Sequence, residues 1–190
     1  MTLIAPKDYV RMAWKNGLGH TEQIAIWPPE SKFPLDKFDW RLSRATISSS
    51  NSFSNFPGYD RWLTVIEGNG VRLGNQILRY GECVHFSGEM PVTCELIQEP
   101  VVDLGIIFDR SKLTVKMEFV RSGPGSYSPA VPGDFDLFFV SRGQLSCGST
   151  SAQMGETLFV ENGASTTFLC SAKAEFVRTT ITKLNLTAIG

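Results

Sequence analysis

The feature that most constrains this chain is an internal repeat of a strand-and-turn module. Residues 62–66 read Trp-Leu-Thr-Val-Ile, a run that is apolar on both faces and typical of a buried strand. Gly68 and Gly70 then supply the tight turn of a hairpin. Residues 138–143, Phe-Phe-Val-Ser-Arg-Gly, repeat the strand and its turn about 75 residues later. A repeat of this length indicates two copies of a domain-sized unit rather than a solenoid.

Two further strand patterns keep nearly the same offset. Gly81–Phe86 is echoed by Gly155–Val160, and Val92–Leu96 by Thr166–Cys170. No long amphipathic helical pattern separates these segments. The sequence therefore predicts an all-β fold of two fused barrels of the jelly-roll type, a bicupin.

The composition is compatible with two small cores packed into one chain, since 42% of the 190 residues are hydrophobic. We predict an N-terminal barrel over residues 1–110 that carries the functional pocket, and a degenerate C-terminal barrel over residues 111–190. Residues 122–134, rich in Gly and Pro, are predicted to form a long loop over the mouth of the second barrel. That barrel is predicted to lack a pocket of comparable polarity.

The charge balance argues against two classes of partner. The chain has 18 basic and 19 acidic residues, which leaves no electrostatic footprint for nucleic acid or for an acidic membrane surface. No apolar run approaches the ~20 residues that span a bilayer, and the N-terminus lacks the apolar core of a signal peptide. We expect a cytoplasmic protein, and its barrel edges are compatible with a homodimer.

The histidine count limits metal chemistry. A metal cupin needs two or three histidines and a glutamate converging in one barrel, but this chain has only His20 and His85. The segment before the buried strand, Phe56–Arg61, contains no histidine. We therefore predict no metal and no cofactor, although a site of one histidine with carboxylates remains an open alternative. His85 is interpreted as a core histidine and His20 as a surface residue at the start of a strand.

Four charged residues lie on or beside apolar strands of the first barrel: Glu22, Arg41, Arg61 and Asp103. Buried charges must be paired, so one interpretation is two ion pairs that brace the barrel. The other is a polar pocket that binds a small carboxylate through an arginine fork. The sequence leaves both interpretations open.

Strand alternation assigns faces to some of these residues. Arg41 shares a face with Ser43 and Ala45, whereas Glu22 falls on an apolar face with Ile24. A carboxylate in such a position must be paired or must face a cavity.

Four blocks of the first barrel, taken in order, resemble the HutD/Ves family of bicupins. They are residues 14–24 (WKNGLGHTEQI), 40–45 (WRLSRA), 53–61 (FSNFPGYDR) and 103–104 (DL). The resemblance covers the first barrel and, more weakly, the second. It implies a small cytoplasmic bicupin associated with histidine utilisation or stress response, with a ligand-binding or regulatory part in histidine breakdown.

The predicted site belongs to the first barrel, with Arg61 as its central charged contact. Its residues are Trp14, Lys15, Asn16, Glu22, Arg41, Phe56, Arg61 and Asp103. By resemblance, the ligand is a small carboxylate such as urocanate or formiminoglutamate. Because the histidine cluster of metal cupins is missing, we expect binding without metal and without turnover.

Two other classes of function stay open. One is an isomerase or hydrolase of a similar small acid, with Glu22 or Asp103 as general acid or base. The other is a protein-interaction module that uses the exposed loop at residues 122–134.

Overall fold

The structure, a computed structural model, describes residues 1–14, 19–98, 100–163 and 166–185, and its regular elements there are strands apart from one 3-10 turn at Pro6–Asp8. The strands are β1 Thr2–Ile4, β2 Val10–Ala13, β3 Gly19–Trp27, β4 Trp40–Ile47, β5 Asn51–Ser52, β6 Tyr59–Glu67, β7 Val71–Leu73, β8 Gln76–Leu78, β9 Cys83–Ser87, β10 Thr93–Leu96, β11 Val101–Asp109, β12 Leu113–Ser122, β13 Gly125–Tyr127, β14 Phe135–Arg142, β15 Gln144–Cys147, β16 Thr150–Gln153, β17 Thr157–Glu161, β18 Phe168–Cys170 and β19 Ala174–Lys183. The predicted all-β fold is confirmed. Within the described residues, no helix is long and apolar enough to cross a membrane.

The chain divides into two compact units. Tyr9–Leu113 form one unit, the first barrel, and Met1–Asp8 together with Thr114–Gly190 form the other, the second barrel. The N-terminal residues belong to the second barrel because β1 pairs antiparallel with β17. The division drawn from the sequence had placed these residues in the first barrel.

The first barrel consists of two sheets that enclose an apolar core. The six-stranded sheet has the order β2-β3-β4-β11-β6-β9, and the four-stranded sheet has the order β5-β10-β7-β8. Their facing residues make one buried cluster: Ile47, Leu63, Val65, Val71, Leu73, Leu78, Phe86, Val92, Cys94 and Val101. The core therefore fills one part of the barrel, and the opposite part of the same large sheet remains available for polar side chains.

The second barrel repeats this plan. The order β17-β14-β19-β12 matches β9-β6-β11-β4 of the first barrel, and a four-stranded sheet β13-β18-β15-β16 lies in the same unit. One strand was missed: Gly125–Tyr127 pairs with Phe168–Cys170, so the predicted loop at residues 122–134 is partly a strand. Its Gly and Pro content favoured a loop, but the ladder offered by β18 overrides that local preference.

The predicted glycine turn after the buried strand is confirmed. Gly68 and Gly70 both have positive φ, 87° and 125°, and the repeat-related Gly143 has φ 74°. A Cβ at Gly70 would lie 2.5 Å from the carbonyl oxygen of Leu78. The turn therefore needs glycine both for its backbone conformation and for the close approach of the end of β8.

Candidate functional site

The first barrel contains a cavity of about 970 Å³. Its wall combines side chains from the large sheet with two connecting segments. The lining residues are Met12, Ala13, Trp14, Thr21, Phe33, Pro34, Arg41, Ser43, Ala45, Ile47, Asn51, Ser52, Phe53, Ser54, Asn55, Phe56, Arg61, Trp62, Leu63, Asp103, Gly105, Ile106 and Ile107.

Strand register arranges one wall of the cavity in rows. Ile107 on β11 is paired with Arg41 on β4 and with Arg61 on β6, so the two arginines flank one residue in a single row. Neighbouring strands are ~4.8 Å apart, which places the two arginine Cα atoms about 10 Å apart. Asp103 lies four residues from Ile107 along β11, and Gly105 between them contributes no side chain. The cavity is thus cationic at one end and carries a carboxyl at the other.

Arg61 is held by aromatic rings and a carbonyl rather than by a carboxylate. Its guanidinium carbon lies 4.8 Å from the ring centre of Phe56 and 5.4 Å from that of Phe53. One Nη2–H donates to the carbonyl oxygen of Ser54, whereas the buried Nε–H has no hydrogen-bond partner in the described residues. Burial lowers the pKa of Arg61 to about 10, and the charge of Asp103 opposes this shift. Arg61 therefore stays cationic at neutral pH with a free donor.

Arg41 is the second buried cation and is also held without a carboxylate. Its Nε–H donates to Oε1 of Gln23 over 2.8 Å, and its guanidinium lies 4.1 Å from the ring centre of Phe33. Burial lowers the pKa of Arg41 to about 10. The described residues give neither Arg41 nor Arg61 an ion pair, so the predicted bracing pairs do not form.

Asp103 is the carboxyl of the cavity. It is 5% exposed and accepts a hydrogen bond from the backbone N–H of Ala45 over 3.1 Å. Burial raises the pKa of Asp103 to about 7, against the opposing effects of the Ala45 hydrogen bond and the charge of Arg61. Asp103 is thus partly protonated near neutral pH. In its protonated form it can donate a hydrogen bond, and in its ionised form it can accept one.

Glu22 does not reach the cavity, although the sequence placed it in the site. It pairs in register with Arg44, and its carboxylate Oε2 lies 2.7 Å from the Arg44 Nε. Arg44 alternates with the cavity-lining Ser43 and Ala45, so this ion pair lies on the opposite face of the sheet. A bulge between Gln23 and Ala25 breaks the alternation that had placed Glu22 on one face with its apolar neighbours.

The other predicted site residues are placed as follows. Trp14 lines the cavity and donates its indole N–H to Oγ1 of Thr21 over 2.9 Å. Phe56 lines the cavity beneath Arg61. Lys15 and Asn16 lie outside the described residues. The structure therefore brings together Trp14, Arg41, Phe56, Arg61 and Asp103.

Sequence reasoning missed Phe33, which lies in the proline-rich segment between β3 and β4. Phe33 and Pro34 line the cavity, and Phe33 also stacks with Phe56 at a centroid distance of 6.0 Å. Gln23, the hydrogen-bond partner of Arg41, was missed as well. The available signal was an aromatic residue directly before Pro34.

The second barrel forms the ion pair that the first lacks. By the 75-residue offset, Asp136 stands at the position of Arg61, and Arg178 pairs with Phe138 as Gly105 pairs with Leu63. The Arg178 Nη2 lies 2.9 Å from Oδ1 of Asp136. In addition, the Asp136 carboxylate accepts from the hydroxyl of Thr180 over 2.8 Å. The charges of this buried pair are neutralised within the barrel.

The cavity is poorly suited to a metal cation. Across the described ranges, no three His, Cys, Asp or Glu residues come together as metal ligands. Two buried arginines would repel a cation, and Asp103 is the carboxyl that lines the cavity. His85 is not a core residue as predicted: its side chain is 42% exposed, and its Nε2 lies 3.1 Å from Oδ2 of Asp60.

The two repeated jelly-roll units place the protein in the class of bicupins. The fold is shared with oxalate decarboxylase, at a TM-score of 0.67 and 9% identity over 97% of this chain and 80% of that one. The chain belongs to the HutD family, whose model matches residues 6–178.

Individual relatives agree with this assignment. A 21.2 kDa protein from the hutC 3' region of Pseudomonas putida is 36% identical over 136 residues, 68% of this chain and 70% of that protein. Protein Ves of Citrobacter koseri is 32% identical over 110 residues, 55% of this chain and 56% of that protein. The structure of HutD from Pseudomonas fluorescens SBW25 in a formate condition is 27% identical at a TM-score of 0.79, covering 97% of this chain and 99% of that one.

Proposed function

We propose that the first-barrel cavity binds a small carboxylate and that the protein acts through this binding in a regulatory or accessory role. The observation that carries the proposal is the buried guanidinium of Arg61, which has a free Nε–H and no carboxylate partner among the described residues. Burying a cation without a counter-charge is costly. A ligand carboxylate would supply both the counter-charge and the missing acceptor.

The aromatic lining supports a planar or extended acid over a bulky one. Phe33 and Phe56 stack on each other and lie under the two arginines, so a flat ligand can pack on rings while its carboxylate meets the guanidinium groups. Urocanate, with an imidazole conjugated to a carboxylate, has this shape. Formiminoglutamate is the second candidate, since its carboxylates could use both arginines.

The family context supports an acid of histidine breakdown. The relative from Pseudomonas putida is named for its place beside hutC. The related HutD structure was obtained in a formate condition, and formate is the smallest carboxylate. These names belong to the relatives, and for this chain they support the ligand class only together with the cavity.

The proposal is tested by thermal unfolding with a panel of acids. Urocanate, formiminoglutamate and formate should raise the melting temperature in a saturable manner, while imidazole and formamide, which lack a carboxylate, should not. At a concentration of 100 Kd, a ligand that binds only the folded state adds about 2.7 kcal/mol, a shift of several degrees. An unchanged melting temperature across all acids at millimolar concentration contradicts the proposal.

A second candidate function is general acid–base catalysis on the same kind of acid. The observation that favours it is the pKa of Asp103, which burial raises to about 7, the range in which a carboxyl can both take and give a proton. Glu22, the other residue considered for this role, is paired with Arg44 on the far face. Turnover of urocanate or formiminoglutamate that is lost in Asp103→Asn with retained binding would support this function.

A further inference from the structure

The placement of Asp103 in the cavity has a consequence for how an acid would bind there. Asp103 and Arg61 line the same cavity, and the charge of Arg61 favours the ionised form of Asp103. The two side chains nevertheless form no ion pair. Among the described residues, the hydrogen bond to Asp103 comes from the N–H of Ala45. The ionised form of Asp103 is therefore favoured first by the Ala45 hydrogen bond and then by the charge of Arg61 at a distance.

We infer that Asp103 takes up a proton from solvent when a carboxylate occupies the first-barrel cavity, so that the site binds the acid anion and a proton together. This inference rests on the proposed function and assigns its linkage to pH. It makes Asp103 a residue that determines which protonation state of the protein binds the ligand.

The first reason is the loss of a counter-charge. A ligand carboxylate paired with Arg61 neutralises the cation that favours ionised Asp103. Three charged or titratable groups face Asp103: Arg61 from β6, Arg41 from β4 and Cys94 from β10. Arg41 and Arg61 both pair with Ile107, four residues from Asp103 on β11. Cys94 is a neutral thiol, because burial and the charge of Asp103 raise its pKa to about 12. It supplies no replacement cation.

The second reason is repulsion between like charges. The ligand adds a carboxylate to a cavity that already contains the buried carboxyl of Asp103. Two carboxylates that share a desolvated site do not both stay ionised at neutral pH, because each disfavours the charged form of the other. Neutral Asp103 can instead donate a hydrogen bond into the cavity.

In the second barrel, a buried aspartate and a buried arginine form a direct ion pair. Asp136 and Arg178 close to 2.9 Å, and both are more than nine-tenths buried. Gly105 occupies the position that Arg178 has in the second barrel, so the first barrel has no charged side chain at this place on β11. The first barrel therefore preserves a buried carboxyl that can respond to a bound anion.

The test uses ¹³C-formate on the full chain, because formate stays fully ionised between pH 6 and pH 8.5. Binding is measured by nuclear magnetic resonance titration at several pH values. Starting from a free-state pKa of about 7, the formate Kd should rise roughly 30-fold from pH 6 to pH 8.5 if Asp103 must be protonated. The Asp103→Asn variant keeps the acceptor for the Ala45 N–H and should bind formate with a Kd that is nearly independent of pH.

A direct measurement keeps the inference testable if the variant fails to fold. The ¹³C carboxyl shift of Asp103 in the wild-type protein gives its titration with and without saturating formate, and the midpoint should move upward by at least one pH unit. A midpoint that stays in place or falls, with formate bound, overturns the inference and leaves the proposed function intact. Absence of formate binding at every pH overturns both.

Discussion

Arg61 and Asp103 line one cavity with opposite charges and form no ion pair, whereas Asp136 and Arg178, in the matching part of the second barrel, lie 2.9 Å apart. The two barrels therefore share their strand pairing but differ in the arrangement of their buried charges. In the second barrel the charges neutralise each other. In the first they remain available, and the stability of Arg61 in its buried position depends on rings and a carbonyl.

Replacing Arg61 should remove binding without unfolding the protein. Arg61→Met deletes a buried cation that forms no ion pair with any described residue, and an apolar side chain of similar volume is tolerated or favoured at such a position. We expect carboxylate-induced thermal shifts to disappear while the free energy of unfolding changes by no more than about 1 kcal/mol.

The matched control for Arg61→Met is Arg44→Met. Arg44 lies on the opposite face of the large sheet and is paired with Glu22. This variant should keep the thermal shifts of the wild-type protein. Loss of several kcal/mol of stability in Arg61→Met, with ligand shifts retained, would identify Arg61 as a structural brace instead.

The second barrel should respond in the opposite way. Arg178→Met leaves Asp136 as an uncompensated buried carboxylate and also removes the contact with the carbonyl oxygen of Val131. We expect a loss of about 3–5 kcal/mol in the free energy of unfolding, measured by chemical denaturation. The double variant Arg178→Met/Asp136→Leu should recover most of this loss, since no buried charge is then left unpaired. Equal stabilities of the single variant and the wild type would contradict the assignment.

Phe33 should contribute to affinity more than to stability. Its ring lies 4.1 Å from the guanidinium carbon of Arg41 and lines the cavity. Truncation in Phe33→Ala removes an aromatic surface on which a ligand ring can stack, worth about 0.5–1.5 kcal/mol, so the Kd for urocanate should rise by up to about tenfold. Leu35→Ala is the control, because Leu35 belongs to the same loop and is 84% exposed. An unchanged urocanate Kd in Phe33→Ala would show that this ring does not contact the ligand.

The stability of the free protein should fall as the pH rises through the range in which Asp103 ionises. Burial raises the pKa of Asp103 from its ordinary value of 3.8 to about 7, so the folded state binds more protons than the unfolded state between these values. The contribution is fully present below pH 4 and is lost as the pH approaches and passes 7. Its upper limit is about 4 kcal/mol.

Asp103→Asn isolates this contribution from other titrating groups. The difference in unfolding free energy between variant and wild type should move in favour of the variant from pH 4.5 to pH 7.5, as measured by denaturant unfolding at each pH. A difference that is constant across this range would mean that Asp103 has a similar pKa in the folded and unfolded states.

Much of the cavity wall was predictable from the sequence. Alternation along β4 correctly placed Arg41, Ser43 and Ala45 on one face, and all three line the cavity. The buried strand that follows Arg61 and its glycine turn were also predicted correctly. Such features depend on residues a few positions apart, so local periodicity is sufficient to assign them.

The sequence by itself determined the repeated all-β architecture, the glycine turns and the scarcity of histidine. Only the tertiary structure decided that a bulge in β3 places Glu22 beside Arg44, that Phe33 lies under Arg41, and that Asp136 pairs with Arg178 while Asp103 remains without an ion pair. The physical reason is that face alternation follows from neighbours in the chain, whereas bulges, loop packing and the choice of a charged partner depend on strands far apart in sequence.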